Sequence, residues 1–156
     1  MPRGKGKIIT LVSFSVLFVD QLTKLLVGKF LYSEKSISII PNVLSFSLVK
    51  NTGAAFGILH NLTFIFIVTA IFVIFYIIYL ILIKKDTNIN PILLGLFLGG
   101  TIGNLVDRVR FGYVIDFIDF HIWPVFNIAD SAITISIAWF MLQIIKAQNV
   151  KRKVQS

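Results

Sequence analysis

The chain has 156 residues, of which 56% are hydrophobic and only 14% charged, with a formal charge of +8. Soluble domains carry about 25% charged residues, so this composition excludes a water-soluble enzyme and a disordered binder and points to an integral membrane protein. The chain has no cysteine, which removes disulfides, thiolate metal sites, thiol nucleophiles and palmitoylation from consideration.

A membrane-spanning helix needs roughly 20 mostly apolar residues. Residues 8–28, 62–83, 91–108 and 127–146 meet that requirement. The first is apolar through Val19 and then turns polar at Asp20, Gln21, Thr23 and Lys24. Its basic start resembles a secretion signal, but polar residues stand where a small-residue cleavage site belongs, so it reads as an uncleaved span. Residues 30–58 form an outer region with period-two patterning. Ser36-Ile37-Ser38-Ile39 and Leu44-Ser45-Phe46-Ser47-Leu48 alternate on either side of a Pro41-Asn42 turn, as an amphipathic hairpin does. Its apolar face would rest on lipid or substrate, or simply cover the helix ends. In the third span, Gly95, Gly99 and Gly103 make a stripe that lets another helix approach, within one chain or between two. The expected fold is one all-α membrane domain over residues 1–156, with four transmembrane helices and a small extracytoplasmic β-hairpin or sheet between the first two.

Charge sets the expected topology. Arg3, Lys5, Lys7, Lys84, Lys85, Lys146, Lys151, Arg152 and Lys153 fall on one side with only Asp86 against them. The other side holds Lys24, Lys29, Lys35, Lys50, Arg108 and Arg110 against Asp20, Glu34, Asp107, Asp116, Asp119 and Asp130. The whole excess therefore lies on the side of the termini, which places both in the cytoplasm. The positive charge reads as a topology signal, not as a nucleic-acid footprint. Six of seven acidic residues gather on the outer side, which a passive anchor would not need.

Ionisable groups at membrane depth are costly and point to function. Asp20 lies about 18 Å along a helix from Ile8, and Lys24, one turn later, can pair with it. Asn104, Asp107 and Arg108 share one face at the outer end of the third span. There Arg108 could hold Asp107 or a substrate carbonyl. Asp116 sits in Tyr113-Val114-Ile115-Asp116-Phe117, and apolar neighbours should favour its protonated form. Asp119, three residues on, is a competing carboxylate. Asn127 suits an N-cap and Asp130 completes a capping box, and the helix start should make Asp130 the more easily ionised. Two carboxylates in contrasting environments are the arrangement of an acid/base pair.

Other constellations carry less. His60 and His121 have no second ligand at helical spacing, so no metal site is expected. Ser131 and Thr134 lack a base nearby and suit helix packing. Asn51-Thr52-Gly53 reads first as a turn. The pattern alone leaves open a carrier or channel using Asp20, Asp107 and Asp116 as relay groups, or a membrane assembly factor.

Five segments in order resemble the bacterial lipoprotein signal peptidases, also called signal peptidase II or prolipoprotein signal peptidases. They are Val19-Asp20-Gln21-Leu22-Thr23-Lys24, Asn51-Thr52-Gly53-Ala54-Ala55-Phe56-Gly57, Gly103-Asn104-Leu105-Val106-Asp107-Arg108-Val109, Gly112-Tyr113-Val114-Ile115-Asp116-Phe117 and Phe126-Asn127-Ile128-Ala129-Asp130-Ser131. The resemblance implies an aspartyl endopeptidase of the bacterial cytoplasmic membrane that cuts prolipoproteins just before a diacylglyceryl-modified cysteine. It implies Asp116 and Asp130 as the catalytic pair. Asn51, Gly53, Asn104, Arg108 and Asn127 would support the dyad or substrate, and Asp20 and Lys24 a supporting network. Diacylglyceryl-prolipoproteins and membrane lipids are the implied partners, with no nucleic acid. The expected unit is a monomer, and a two-carboxylate mechanism requires no metal or organic cofactor. The ten residues between Asp116 and Asn127 make a shorter loop than several members of that family carry.

Overall fold

The computed structural model describes residues 3–31, 36–53, 62–83 and 89–155. Glu34, Lys35, Ala54 through Gly57, His60, Lys84, Lys85 and Asp86 lie outside the described residues, as do the side chains of Arg3, Lys151, Arg152 and Lys153. The elements in chain order are helix α1 (Arg3–Phe30), strands β1 (Ile37–Ile40) and β2 (Leu44–Asn51), helices α2 (Thr63–Leu82) and α3 (Pro91–Phe111), strand β3 (Val114–Asp119) and helix α4 (Ile128–Gln155). All four helices are long and apolar enough to cross a membrane. The helices overlap the four stretches read as spans, with different ends. The first and third helices run past residues 28 and 108, and Asn127 stands just outside the fourth.

The glycine stripe explains how the helices pack. A Cβ on Gly95 would lie 2.7 Å from the Val12 Cβ, and one on Gly99 would lie 2.6 Å from the Ser13 carbonyl oxygen. Both positions face α1, so the stripe is used within one chain. Gly100, one position round the helix, faces α4: a Cβ there would lie 2.5 Å from the Ala129 carbonyl oxygen. Hydroxyls reinforce these close seams. Ser13 donates to the Gly95 carbonyl on one side and Ser136 to the Leu93 carbonyl on the other. Helix α3 is thus the central helix, whereas α2 turns Phe64, Phe72, Phe75 and Leu82 outward. In lipid such an apolar surface needs no covering.

The hairpin forms as its alternation predicts, with Asn42 in the left-handed conformation (φ 58°) at the turn. It is two-thirds of a larger unit: β3 adds antiparallel to β2, making a three-stranded sheet in the order β1-β2-β3. Sequence reading treated residues 113–117 only as a short apolar stretch. The alternation is weak there because Asp116 and Phe117 are both buried. The hairpin is also not a simple sandwich of apolar inside and polar outside. Ser45 is buried, while Ile37, Ile39 and Ile40 of β1 are each 49% exposed.

The sheet closes one end of the bundle, where α1 and α3 end and α2 and α4 begin. Gly112, at φ 78°, caps α3 in the left-handed conformation that glycine accommodates best, and turns the chain into β3.

Candidate active site

Local folding brings β3 back onto the start of α4. Phe117 and Ile118 both donate to the Phe126 carbonyl, and Phe126 donates to the Ile118 carbonyl. That return places Asn127 beside Asp116, eleven positions earlier in sequence. Asn127 then does three things at once. Its Oδ1 accepts from the Asp130 N–H at 2.8 Å, while the Asp130 carboxylate accepts from the Asn127 N–H at 3.4 Å, the reciprocal capping box expected from sequence. Its Nδ2 donates to Asp116 Oδ1 at 2.6 Å.

Each carboxylate has a second amide donor. Asn51, at the end of β2, donates to Asp116 Oδ2 at 2.8 Å. It reaches diagonally, because Asn51 pairs with Val114 and Val49 with Asp116 on the same sheet face. The Asn51 Oδ1 accepts from the Gly53 N–H, which fixes the turn read in Asn51-Thr52-Gly53. Asn104 donates to Asp130 Oδ1 at 2.7 Å and accepts from Asn127 and Lys24.

Beneath this pair lies a charge cluster joining three helices. Lys24 Nζ is 2.9 Å from both Asp20 Oδ2 and Asp107 Oδ2, and all three side chains are almost wholly buried. Asp20 also accepts from the Ala129 N–H at 2.9 Å, so a carboxylate from α1 caps the positive end of α4. Asp107 accepts from Gln21 and from the Ile115 N–H, which ties α3 to β3. Sequence reading offered Asp107 to Arg108. The structure gives Asp107 to Lys24 instead, because a helix places neighbours 107 and 108 on diverging directions. The Arg108 guanidinium points to the Gly53 carbonyl at 3.4 Å and lies 4.8 Å over the Phe66 ring.

Asp116, Asp130, Asn51, Gly53 and Arg108 line one cavity of about 530 Å³. Its other wall is apolar, formed by Trp123, Pro124, Val125, Ile133 and Ile135. Ser131 and Thr134 line it too, and Ser131 donates to the Asn127 carbonyl. Asp116 is only 1% exposed. Burial and then the Asp130 charge push its pKa from 3.8 up to about 7, outweighing the Asn51 and Asn127 hydrogen bonds that oppose the rise. The protonated tendency expected for Asp116 is therefore present.

Asp119 belongs elsewhere. It accepts from Ser47 Oγ of β2 and from the His121 N–H, at the end of β3. Among the described residues no three His, Asp or Glu side chains converge as metal ligands. Sequence reasoning missed Gln21, Phe66 and Trp123. Gln21 lay within the quoted polar run, but Phe66 and Trp123 look like ordinary apolar residues until the fold places them.

These features define a multi-span membrane protein with a carboxylate-bearing cavity where its helices meet a small sheet. Residues 12–146 match the family Signal peptidase (SPase) II. The chain is 40% identical over 142 residues to the lipoprotein signal peptidase of Halothermothrix orenii, covering 91% of this chain and 98% of that protein. It is 44% identical over 148 residues to that of Shouchella clausii, covering 93% and 98%. A solved structure described as a bacterial membrane enzyme, obtained by the in meso method at 2.3 Å, superposes with a TM-score of 0.84 at 31% identity, over 92% of this chain and 90% of that one. The chain belongs to the signal peptidase II family. It is a peptidase, and a multi-pass protein of a bacterial membrane.

Proposed function

We propose that the chain removes the signal peptide from diacylglyceryl-modified prolipoproteins, cutting before the lipidated cysteine with Asp116 and Asp130 as an aspartyl dyad. The observation that carries this reading is the hydrogen-bonded bridge. Asn127 donates its side-chain amide to the Asp116 carboxylate and its backbone N–H to the Asp130 carboxylate, Asn104 donates to Asp130, and both carboxylates open onto the same cavity.

Asp130, held by helix-start donors, acts as the ionised base and takes a proton from water. Asp116, whose buried carboxyl keeps a proton near neutral pH, donates a hydrogen bond to the scissile carbonyl as its oxygen gains charge. The Asp130 carboxyl then passes its proton to the departing amine. Arg108 and the Gly53 carbonyl offer a donor and an acceptor to an extended substrate backbone, and the apolar wall suits signal-peptide side chains. Lys24, Gln21 and backbone N–H groups hold Asp20 and Asp107 in a buried structural cluster away from the cavity, which argues against their use as the relay groups of a carrier.

In this reading the protein works as a monomer of the cytoplasmic membrane, with cytoplasmic termini and the dyad toward the extracytoplasmic face. Incubating the purified protein with a diacylglyceryl-modified prolipoprotein tests it. Mass spectrometry should find a product beginning at the lipidated cysteine, absent with Asp116→Asn or Asp130→Asn. Cleavage elsewhere, or an active Asp-to-Asn variant, would overturn the assignment.

A further inference from the structure

Counted along the sequence, the sheet end of the molecule is neutral, but the exposed charges among its described residues are not balanced. Every described carboxylate at that end is buried or half-buried: Asp20 and Asp107 on Lys24, Asp116 and Asp130 in the cavity, Asp119 on Ser47. Lys29, Lys50 and Arg110 remain exposed, and none forms an ion pair among the described residues. Among the described residues, the interior has taken the anions and the exposed charges at this end are cationic.

Two of these cations are arranged together. The Arg110 guanidinium lies 5.0 Å from the Phe111 ring centroid, Phe111 stacks on Tyr113 at 5.8 Å and 25°, and the Lys50 ammonium lies 5.4 Å from the Tyr113 centroid. Two stacked rings are thus bracketed by two cations. The stack forms where α3 leaves its span through Gly112, and the rings place it at the level where aromatic residues meet lipid headgroups. Cation–π contact with a ring orients a cation but does not neutralise it.

We propose that the Arg110–Phe111–Tyr113–Lys50 ladder is a docking platform for the headgroup of an anionic phospholipid. Its anionic headgroup lies along the ring pair, within reach of the cation at either end, and its acyl chains run down the exposed Val109 face of α3. Lys50 is opposite Ile115 in the β2–β3 ladder and adjoins Asn51. A bound lipid therefore steadies the strand ends that carry Asn51 and Asp116. The occupant is a lipid and not free phosphate, because the patch lies at the end of an apolar span with lipid-facing residues below it.

The test uses the full chain in detergent micelles doped with equal amounts of phosphatidylglycerol and phosphatidylcholine, and reads bound lipid by native mass spectrometry. Wild type should retain phosphatidylglycerol in preference, and each of Lys50→Gln and Arg110→Gln should lower that preference about five-fold. Lys50→Arg with Arg110→Lys should keep it, as should Lys29→Gln, which removes an exposed cation outside the ladder. Inorganic phosphate in excess should not displace the lipid. Equal retention of the two lipids by wild type, an unchanged preference in both single Gln variants, an equal loss in Lys29→Gln, or displacement by phosphate would overturn the proposal. The readout is lipid binding alone, so it stands or falls apart from the peptidase assignment.

Discussion

Asp116 is pulled in two directions: two amide donors favour its charge, while burial and Asp130 oppose it, and burial wins. Its folded pKa of about 7 stands above the ordinary 3.8, so the folded protein holds the proton more tightly than the unfolded chain. The stability this contributes is complete below about pH 4 and is lost as pH rises through about 7, a change on the order of 4 kcal/mol. Asp116→Asn cannot ionise. Its melting temperature should therefore fall less than that of wild type between about pH 5 and about pH 8, and parallel melting curves would contradict the burial argument. Lys24 presents the opposite case, a buried cation shared by two carboxylates. Replacing one partner of such a cluster leaves uncompensated charge, so Lys24→Met should cost about 3–5 kcal/mol. Adding Asp107→Asn should recover part of it in denaturant titrations. The Lys24–Asp20 pair was legible at four-residue spacing. Asp107 was not, because its partner is distant in sequence and nothing local distinguishes Lys24 from Arg108 as its counter-ion.

At the scale of elements, the apolar runs and the two alternating segments were legible because spans and hairpins are set by local periodicity. Strand β3 was not, since it forms by pairing with β2 across two intervening helices and buries neighbouring side chains on both faces. The glycine stripe announced a close helix contact but not its partner. The structure sets Gly95, Gly99 and Gly103 against α1, and Gly100, outside the stripe, against α4. An added methyl at Gly100 would meet backbone at Ala129, which cannot swing aside as a side chain could. Gly100→Ala should therefore cost about 1–3 kcal/mol and lower kcat by shifting the helix start that holds Asp130. Gly6→Ala, in helix α1 with nothing within 4 Å, should instead stabilise by about 0.5–1 kcal/mol. Thermal melting of the two variants separates packing from propensity, and equal effects would refute the close-contact explanation.

For the whole molecule, the site exists because one end of a helix bundle is closed by a sheet that reaches it from two separate chain segments. Asp116 comes from the sheet, Asp130 from a helix start, and Asn127, Asn104 and Asn51 join them. The sequence signalled the residue types and the clustering of acids at one end, but not which carboxylates face one cavity, since Asp107 and Asp119 carry equal local signals. The absence of native cysteine makes the topology directly measurable. Single cysteines at Lys7 and at Ile39 should differ in intact cells, only the latter reacting with a membrane-impermeant maleimide, and labelling at Lys7 would reverse the proposed orientation. The central claim is that Asp116 and Asp130 act as one catalytic unit. It is tested most directly by kcat on a lipidated prolipoprotein for wild type, Asp116→Asn, Asp130→Asn and the double variant, each verified as folded. Groups that act as a unit are strongly non-additive. Each single variant should lose nearly all activity and the double variant should be no worse than either. Losses that are partial and multiply in the double variant would show two independent contributions and contradict the dyad.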